Sequence, residues 1–122
     1  MMQIQRGDIF FVRIPSDPPG KHARPVIVVS TDSRNRHECA TTVTVVPLST
    51  TRRDLQVPTH VLLQPGETGL KEPSEAQAEN IVTVLKADLQ QSREPTRRQS
   101  SAVLKKIAKA VVIGLGFDPQ EL

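Results

Sequence analysis

Two short segments hold residue types that can act on a phosphate. In Gly20-Lys21-His22-Ala23-Arg24-Pro25, two cations and a histidine end a Gly/Pro-rich stretch just ahead of an apolar run. Proline restricts the residue before it to extended backbone. Arg24 therefore stands at the root of a strand, where a guanidinium can offer paired hydrogen bonds to phosphate oxygens. The second segment, Pro47-Leu48-Ser49-Thr50-Thr51-Arg52-Arg53, follows another apolar run with three hydroxyls and two arginines. Hydroxyls donate to phosphate oxygens and arginines supply charge. Lys21, Arg52 and Arg53 read better as groups that position a backbone than as catalysts. His22 lies two residues from Arg24 and is a candidate proton donor or acceptor, since imidazole exchanges protons near neutral pH. By composition alone, each segment also reads as a solvated turn.

Other chemistries find no footing in the residue pattern. The histidines, His22, His37 and His60, form no i, i+4 pair and no HExxH. There is no glycine-rich phosphate loop and no GxSxG. Cys39 is the only cysteine, so an intrachain disulfide and a CxxC site are both excluded. Beside Thr41 and Thr42 it reads as a small packing residue. His60, inside an apolar run, reads as a structural histidine. No metal or other cofactor is expected. Three Phe with no Tyr or Trp argue against a reader that stacks bases on several exposed rings. Residues 1–60 hold eight Lys/Arg against five Asp/Glu, whereas residues 61–122 hold eight of each. The basic excess thus falls in the half that carries the candidate chemistry, which favours a polyanionic partner.

The elements that must position these residues can be read from the β-branched runs. Strands are expected at Asp8–Ile14, Pro25–Ser30, Thr41–Leu48, Val57–Leu63 and Ile81–Leu85. The second is nearly all apolar and predicts a strand covered on both faces. Pro47 is expected to end the pairing of the third or mark a bulge, and Pro58 to put the fourth at a sheet edge. Pro15–Lys21 forms a turn or flap, and Asp32–Glu38, Thr50–Leu55 and Gln64–Pro73 are expected loops. A short helix is expected from Ser74, where Ser74 and Gln77 have capping-box spacing. A longer one is expected over about Thr96–Leu115, with Val103, Leu104, Ile107, Val111 and Leu115 on one face. The 122 residues fit one domain, mainly β with an α+β character and barrel-like. No signal segment or membrane-length apolar run is present, so the cytoplasm is the expected setting.

Taken in order, RGDIFFV, ARPVIVVS, TVTVVPLST and PTHVLL, then GLKEPSEAQAENIVTVLKADL, resemble the MazF/PemK family of toxins. The resemblance spans about residues 5–90; residues 91–115 match only as a terminal helix. It implies an SH3-like small barrel with short helices, of the kind also used by CcdB, and a C-terminal amphipathic helix. It further implies a homodimer and metal-independent cleavage of single-stranded RNA at short sequences, inhibited by a cognate antitoxin. By the same resemblance Arg24 and Ser49 carry the reaction, with Thr50 as the hydroxyl if the turn shifts by one. Lys21, His22, Arg52, Arg53 and Asn80 are the expected RNA-binding residues. The flap, Pro18-Pro19-Gly20-Lys21-His22, lacks the acid that many relatives carry there, and Glu79-Asn80-Ile81-Val82 lacks their arginine. Three rivals remain open at this level: a CcdB-like gyrase poison, a non-catalytic RNA-binding barrel and a purely structural dimer module.

Overall fold

A computed structural model describes residues 3–50 and 57–122. Its six strands are β1 (Ile9–Val12), β2 (Arg24–Val28), β3 (Thr42–Thr50), β4 (His60–Leu63), β5 (Ser74–Gln77) and β6 (Val82–Leu85). Its α-helices are α1 (Asp32–Arg36), α2 (Pro65–Thr68) and α3 (Ser101–Gly114). All pairings are antiparallel, in the order β1-β2-β3-β5-β4, with β6 also on β3. Every strand expected from the β-branched runs is present, with ends moved by a few residues.

β3 is the spine. β2 pairs with its middle, β6 with Thr42–Val45 and β5 with Leu48–Thr50. Between β5 and β6 the register slips by three residues, taken up by a 3-10 turn at Ala78–Asn80. Pro47 therefore does not end β3, which runs on to Thr50; it lies in the part of β3 that this turn bypasses. Proline has no N–H to give to a ladder there. The sheet curls without closing. The return to β1 among the described residues is a single bridge between Phe11 and Gln90, with N···O distances of 2.7 and 2.8 Å.

Strand alternation separates two cores. Inside the curl, Phe10, Val12, Val26, Val28, Val43 and Val45 pack together with Val84. On the outer face, Ile9, Ile27, Val46, Leu48, Leu63 and Ala76 pack beneath Val103 and Ile107 of α3. β2 is thus covered on both faces, as its apolar run predicts. Leu104 and Val111 are partly buried against the outer core, but Leu115 lies past the end of α3 and is 67% exposed.

Several expectations are corrected. Ser74 does not start a helix. Ser74 and Ala76 are buried while Glu75 and Gln77 alternate to the other face, a period of two built from small residues. α1 and α2 form where loops are expected. Pro65 at the first helical position and the Gln64 N–H donating to Glu67 Oε1 at 3.1 Å start α2. Gly69 ends it with φ +83°, and a Cβ there would stand 2.6 Å from the Pro95 carbonyl oxygen. Thr96 does not cap α3. Gln99 is buried and donates to the carbonyls of Glu67 and Arg97, both at 2.9 Å, which ties the helix lead-in to α2. The cap is Ser100, whose hydroxyl accepts from the Val103 N–H at 3.2 Å. Ser100→Ala is expected to cost about 1 kcal/mol, read as a lower urea midpoint at unchanged slope. Cys39 is exposed in a turn, so it is not a packing residue.

Candidate active site

Arg24 is the first residue of β2 and leaves the sheet on the same face as Val26 and Val28. Val26 pairs with Pro47, and carrying that register on by two residues sets Arg24 opposite Ser49. Ser49 pairs with Glu75 of β5, so Gln77, two residues further, shares the face as well. Three adjacent strands thus deliver an arginine, a hydroxyl and a carboxamide to one spot beyond the inner core.

The side chains interlock. Arg24 Nε and Nη2 both donate to the Leu48 carbonyl, at 3.3 and 3.2 Å. Nη2 also donates to Gln77 Oε1 at 2.7 Å, and Nη1 to Asp17 Oδ1 at 3.2 Å. Gln77 Nε2 then donates to Ser49 Oγ at 3.2 Å. Asn80 Nδ2 donates to Gln77 Oε1 at 3.3 Å. Arg24 and Ser49 are therefore joined through one amide, which fixes the direction of both. Because Ser49 Oγ accepts from Gln77, its hydroxyl proton is the group it can offer outward. Backbone, amide and carboxylate acceptors hold the guanidinium at 14% exposure. An arginine aimed by so many acceptors loses little freedom when it meets a phosphate.

Arg24, Leu48 and Ser49 of this network border a cleft of about 720 Å³. Arg24, Ser49 and Thr50 lie in its wall, with Lys21 from the flap and Lys71 and Arg93 from later loops. Among the described lining residues, these four cations face two carboxylates, Glu72 and Glu94. Lys71 and Glu94 pair at 3.0 Å, both well exposed, and such a pair is worth little in water.

The other expected residues are placed unevenly. Lys21 lies in the cleft wall, and Asn80 reaches the network through Gln77. His22 is exposed and is not among the residues lining the cleft. Arg52 and Arg53 fall outside the described residues. Two participants escape a reading of the sequence. Gln77 is hidden there because its spacing from Ser74 imitates a helix cap. Asp17, one residue ahead of the Pro18-Pro19 pair, is a carboxylate of the flap that pairs with Arg24. Its one advance signal is a lone carboxylate in a Pro/Gly loop seven residues before Arg24.

A second polar cluster supports the first. His60 pairs with Gln77 across β4 and β5. Its Nδ1 lies 3.0 Å from Glu75 Oε2 and its Nε2 2.7 Å from Glu79 Oε1. The ring thereby ties β4 to β5 and to the turn that carries Asn80, which fits its reading as a structural histidine. Burial works to raise the Glu79 carboxyl, but hydrogen bonds from Thr59 and His60 outweigh it and hold that group below its usual value. Among the described residues, no group of three or more His, Cys, Asp or Glu is placed to hold a metal ion. None of their helices is long and apolar enough to cross a membrane.

A family model described as PemK-like, MazF-like toxin of type II toxin-antitoxin system matches residues 5–115. The chain belongs to this toxin family. Solved structures similar to this MazF-like toxin include an endoribonuclease from Mycobacterial species, at 30% identity and TM-score 0.71, covering 98% of this chain and 96% of that one. Another is an endoribonuclease in complex with its cognate antitoxin, also from Mycobacterial species, at 30% identity and TM-score 0.69, covering 93% and 96%. Mycobacterium tuberculosis toxin MazF-mt6 matches at 26% identity and TM-score 0.68, covering 91% and 98%. No curated protein sequence matches the chain.

Proposed function

We propose that this MazF-like toxin is a metal-independent endoribonuclease that cuts single-stranded RNA, including mRNA, at short sequences and so arrests translation. The observation that carries the reading is the Arg24–Gln77–Ser49 chain of hydrogen bonds, whose two ends stand in the wall of a cation-rich cleft. The endoribonucleases among the similar structures support it. One of them is bound to its antitoxin, which supports a cognate antitoxin as partner here. An acidic antitoxin segment would compete with RNA for the same basic cleft. A homodimer, with cytoplasmic single-stranded RNA as substrate, completes the reading. Arg24 and Ser49 are its catalytic residues, with Thr50 as the neighbouring hydroxyl. Lys21, Asn80, Arg52, Arg53 and His22 are its RNA-positioning residues.

RNA brings its own nucleophile. The 2′-oxygen attacks the adjacent phosphorus, a 2′-O–P bond forms, and the P–O5′ bond breaks. The 2′-hydroxyl gives up a proton and the departing 5′-oxygen gains one. The non-bridging oxygens gather negative charge between these events. Arg24 faces that charge as a fixed cation, and Ser49 donates a hydrogen bond to one of the oxygens. Preorganised donors of this kind act without reorienting at the moment of reaction. Gln77 is a positioning residue, since it holds Arg24 and Ser49 at once.

The expected products are a 5′-hydroxyl on one fragment and a 2′,3′-cyclic phosphate on the other, which becomes a 3′-phosphate if water then breaks the 2′-O–P bond. The test is to incubate purified protein with a long RNA in EDTA and to map the ends. A 5′-phosphate product, or loss of cleavage in EDTA, would overturn this mechanism. Intact RNA together with gyrase inhibition would replace it with the gyrase-poison reading.

A further inference from the structure

The flap is exposed over Pro15–Lys21 except at Asp17, whose side chain is only 11% exposed. That carboxylate is turned inward onto Arg24, with Oδ1 accepting from Nη1 at 3.2 Å. Its other oxygen, Oδ2, is buried and has no hydrogen-bond partner among the described residues. A carboxylate oxygen removed from water without a donor is costly. Asp17 is thus held by one oxygen and penalised through the other. Arg24 differs. Its bonds to Leu48 and Gln77 come from β3 and β5 and do not depend on the flap. Moving the flap away would free one edge of the guanidinium, the Nη1 edge, and leave its direction unchanged.

We propose that Asp17 is a displaceable internal counter-anion. In the RNA-free toxin its carboxylate occupies the seat on Arg24 that a phosphodiester of single-stranded RNA takes, and RNA binding swings the flap off that seat. This rests on the endoribonuclease reading and adds to it a built-in competitor. The anion seat is pre-shaped because a carboxylate already sits there. The cost of the buried Oδ2 keeps that competitor weak enough to be exchanged. The flap has turns at both ends to move on, with Asp17 N–H donating to the Ile14 carbonyl at 3.0 Å and Lys21 N–H to the Pro18 carbonyl at 3.2 Å.

The experiment measures affinity for a short single-stranded RNA whose 2′-hydroxyls are methylated, so that it binds without being cut. Removing a competitor that is seated about nine-tenths of the time tightens binding about tenfold. Asp17→Asn and Asp17→Ser should each show this gain. In an Arg24→Ala background the gain should disappear, because the seat itself is gone. A gain that persists without Arg24 is a general charge effect and overturns the proposal. So does unchanged or weaker binding by both Asp17 variants, including the case where cleavage falls while affinity holds, which would make Asp17 a proton acceptor instead. Cleavage of unmodified RNA by the parent toxin is measured in parallel. If the parent neither binds nor cuts RNA, the endoribonuclease reading fails and the counter-anion with it. If the parent cuts and the Asp17 variants bind no tighter, only the counter-anion fails.

Discussion

Arg24→Ala is expected to lower single-turnover cleavage of RNA by about 10²-fold or more, with a smaller loss of RNA affinity. The arginine is the cation that three strands aim at one spot, so its removal takes away charge that matters most when the phosphate is pentacoordinate. Affinity falls less because Lys21 and the other cations of the cleft wall still hold the backbone. The variant also takes donors from the Leu48 carbonyl and the Asp17 carboxylate and leaves Gln77 Oε1 with Asn80 alone, so a stability cost of about 1–3 kcal/mol accompanies it. Rates are therefore compared at matched folded fractions. Arg24→Lys should not rescue, because an ammonium cannot donate from a planar fork. Ser49→Ala should lose about 10²–10³ in rate, and Ser49→Thr should recover most of it. Near-normal cleavage by Arg24→Ala would remove the site assignment. Near-normal cleavage by Ser49→Ala alone would move the hydroxyl role to Thr50, the next residue of β3 and also in the cleft wall.

The second large effect concerns the helix that covers the outer face. Ile107 is 1% exposed and packs with Ile27, Val46, Leu48 and Leu63. Ile107→Ala should cost about 2–5 kcal/mol, because the lost methyl groups leave a hole that β-sheet neighbours cannot collapse into. Against a total stability of about 5–15 kcal/mol, that is a large fraction. Urea unfolding should show a lower midpoint at an unchanged slope, whereas exposed Lys106→Ala should stay within about 0.5 kcal/mol of the parent. The loss reaches the site as well. Leu48 is buried in the same cluster, and its carbonyl is the acceptor for two Arg24 donors. An intact slope with no change in midpoint would mean that α3 is not the lid of this core.

What the sequence discloses follows from which residues announce their own geometry. Val26-Ile27-Val28 and Val43-Thr44-Val45-Val46 are β-branched, stiff at χ1 and suited to a pleated surface, so β2 and β3 are readable from residue type alone. Arg24 is readable because Pro25 constrains its backbone. β5 is not readable: Ser74-Glu75-Ala76-Gln77 contains no β-branched residue, and its burial comes from neighbours far along the chain. Its strand identity is imposed by β3 on one side and β4 on the other. Gln77 is lost with it, since a glutamine becomes a bridge only when β5 stands beside β3. α1 and α2 are too short to show periodicity. Asp17 is visible as a charge but not as a partner, because its contact with Arg24 depends on how the flap folds back.

The pairing of β3 with three strands also orders the assembly of the molecule in time. β2 and β3 are close in sequence and can zip together early, bringing Arg24 and Ser49 near each other. The second edge of β3 waits for β5 and β6, and pairing across such separations slows folding because long loops must close before contacts reward them. Gln77 arrives only at that stage, and α3 can seal the outer face only afterwards. A chain emerging from the ribosome would thus carry its arginine and its hydroxyl well before it carries the amide that locks them together. The Arg24–Gln77–Ser49 link is among the last parts of the fold to form. That leaves an interval in which a waiting antitoxin meets a sheet whose edge is still open.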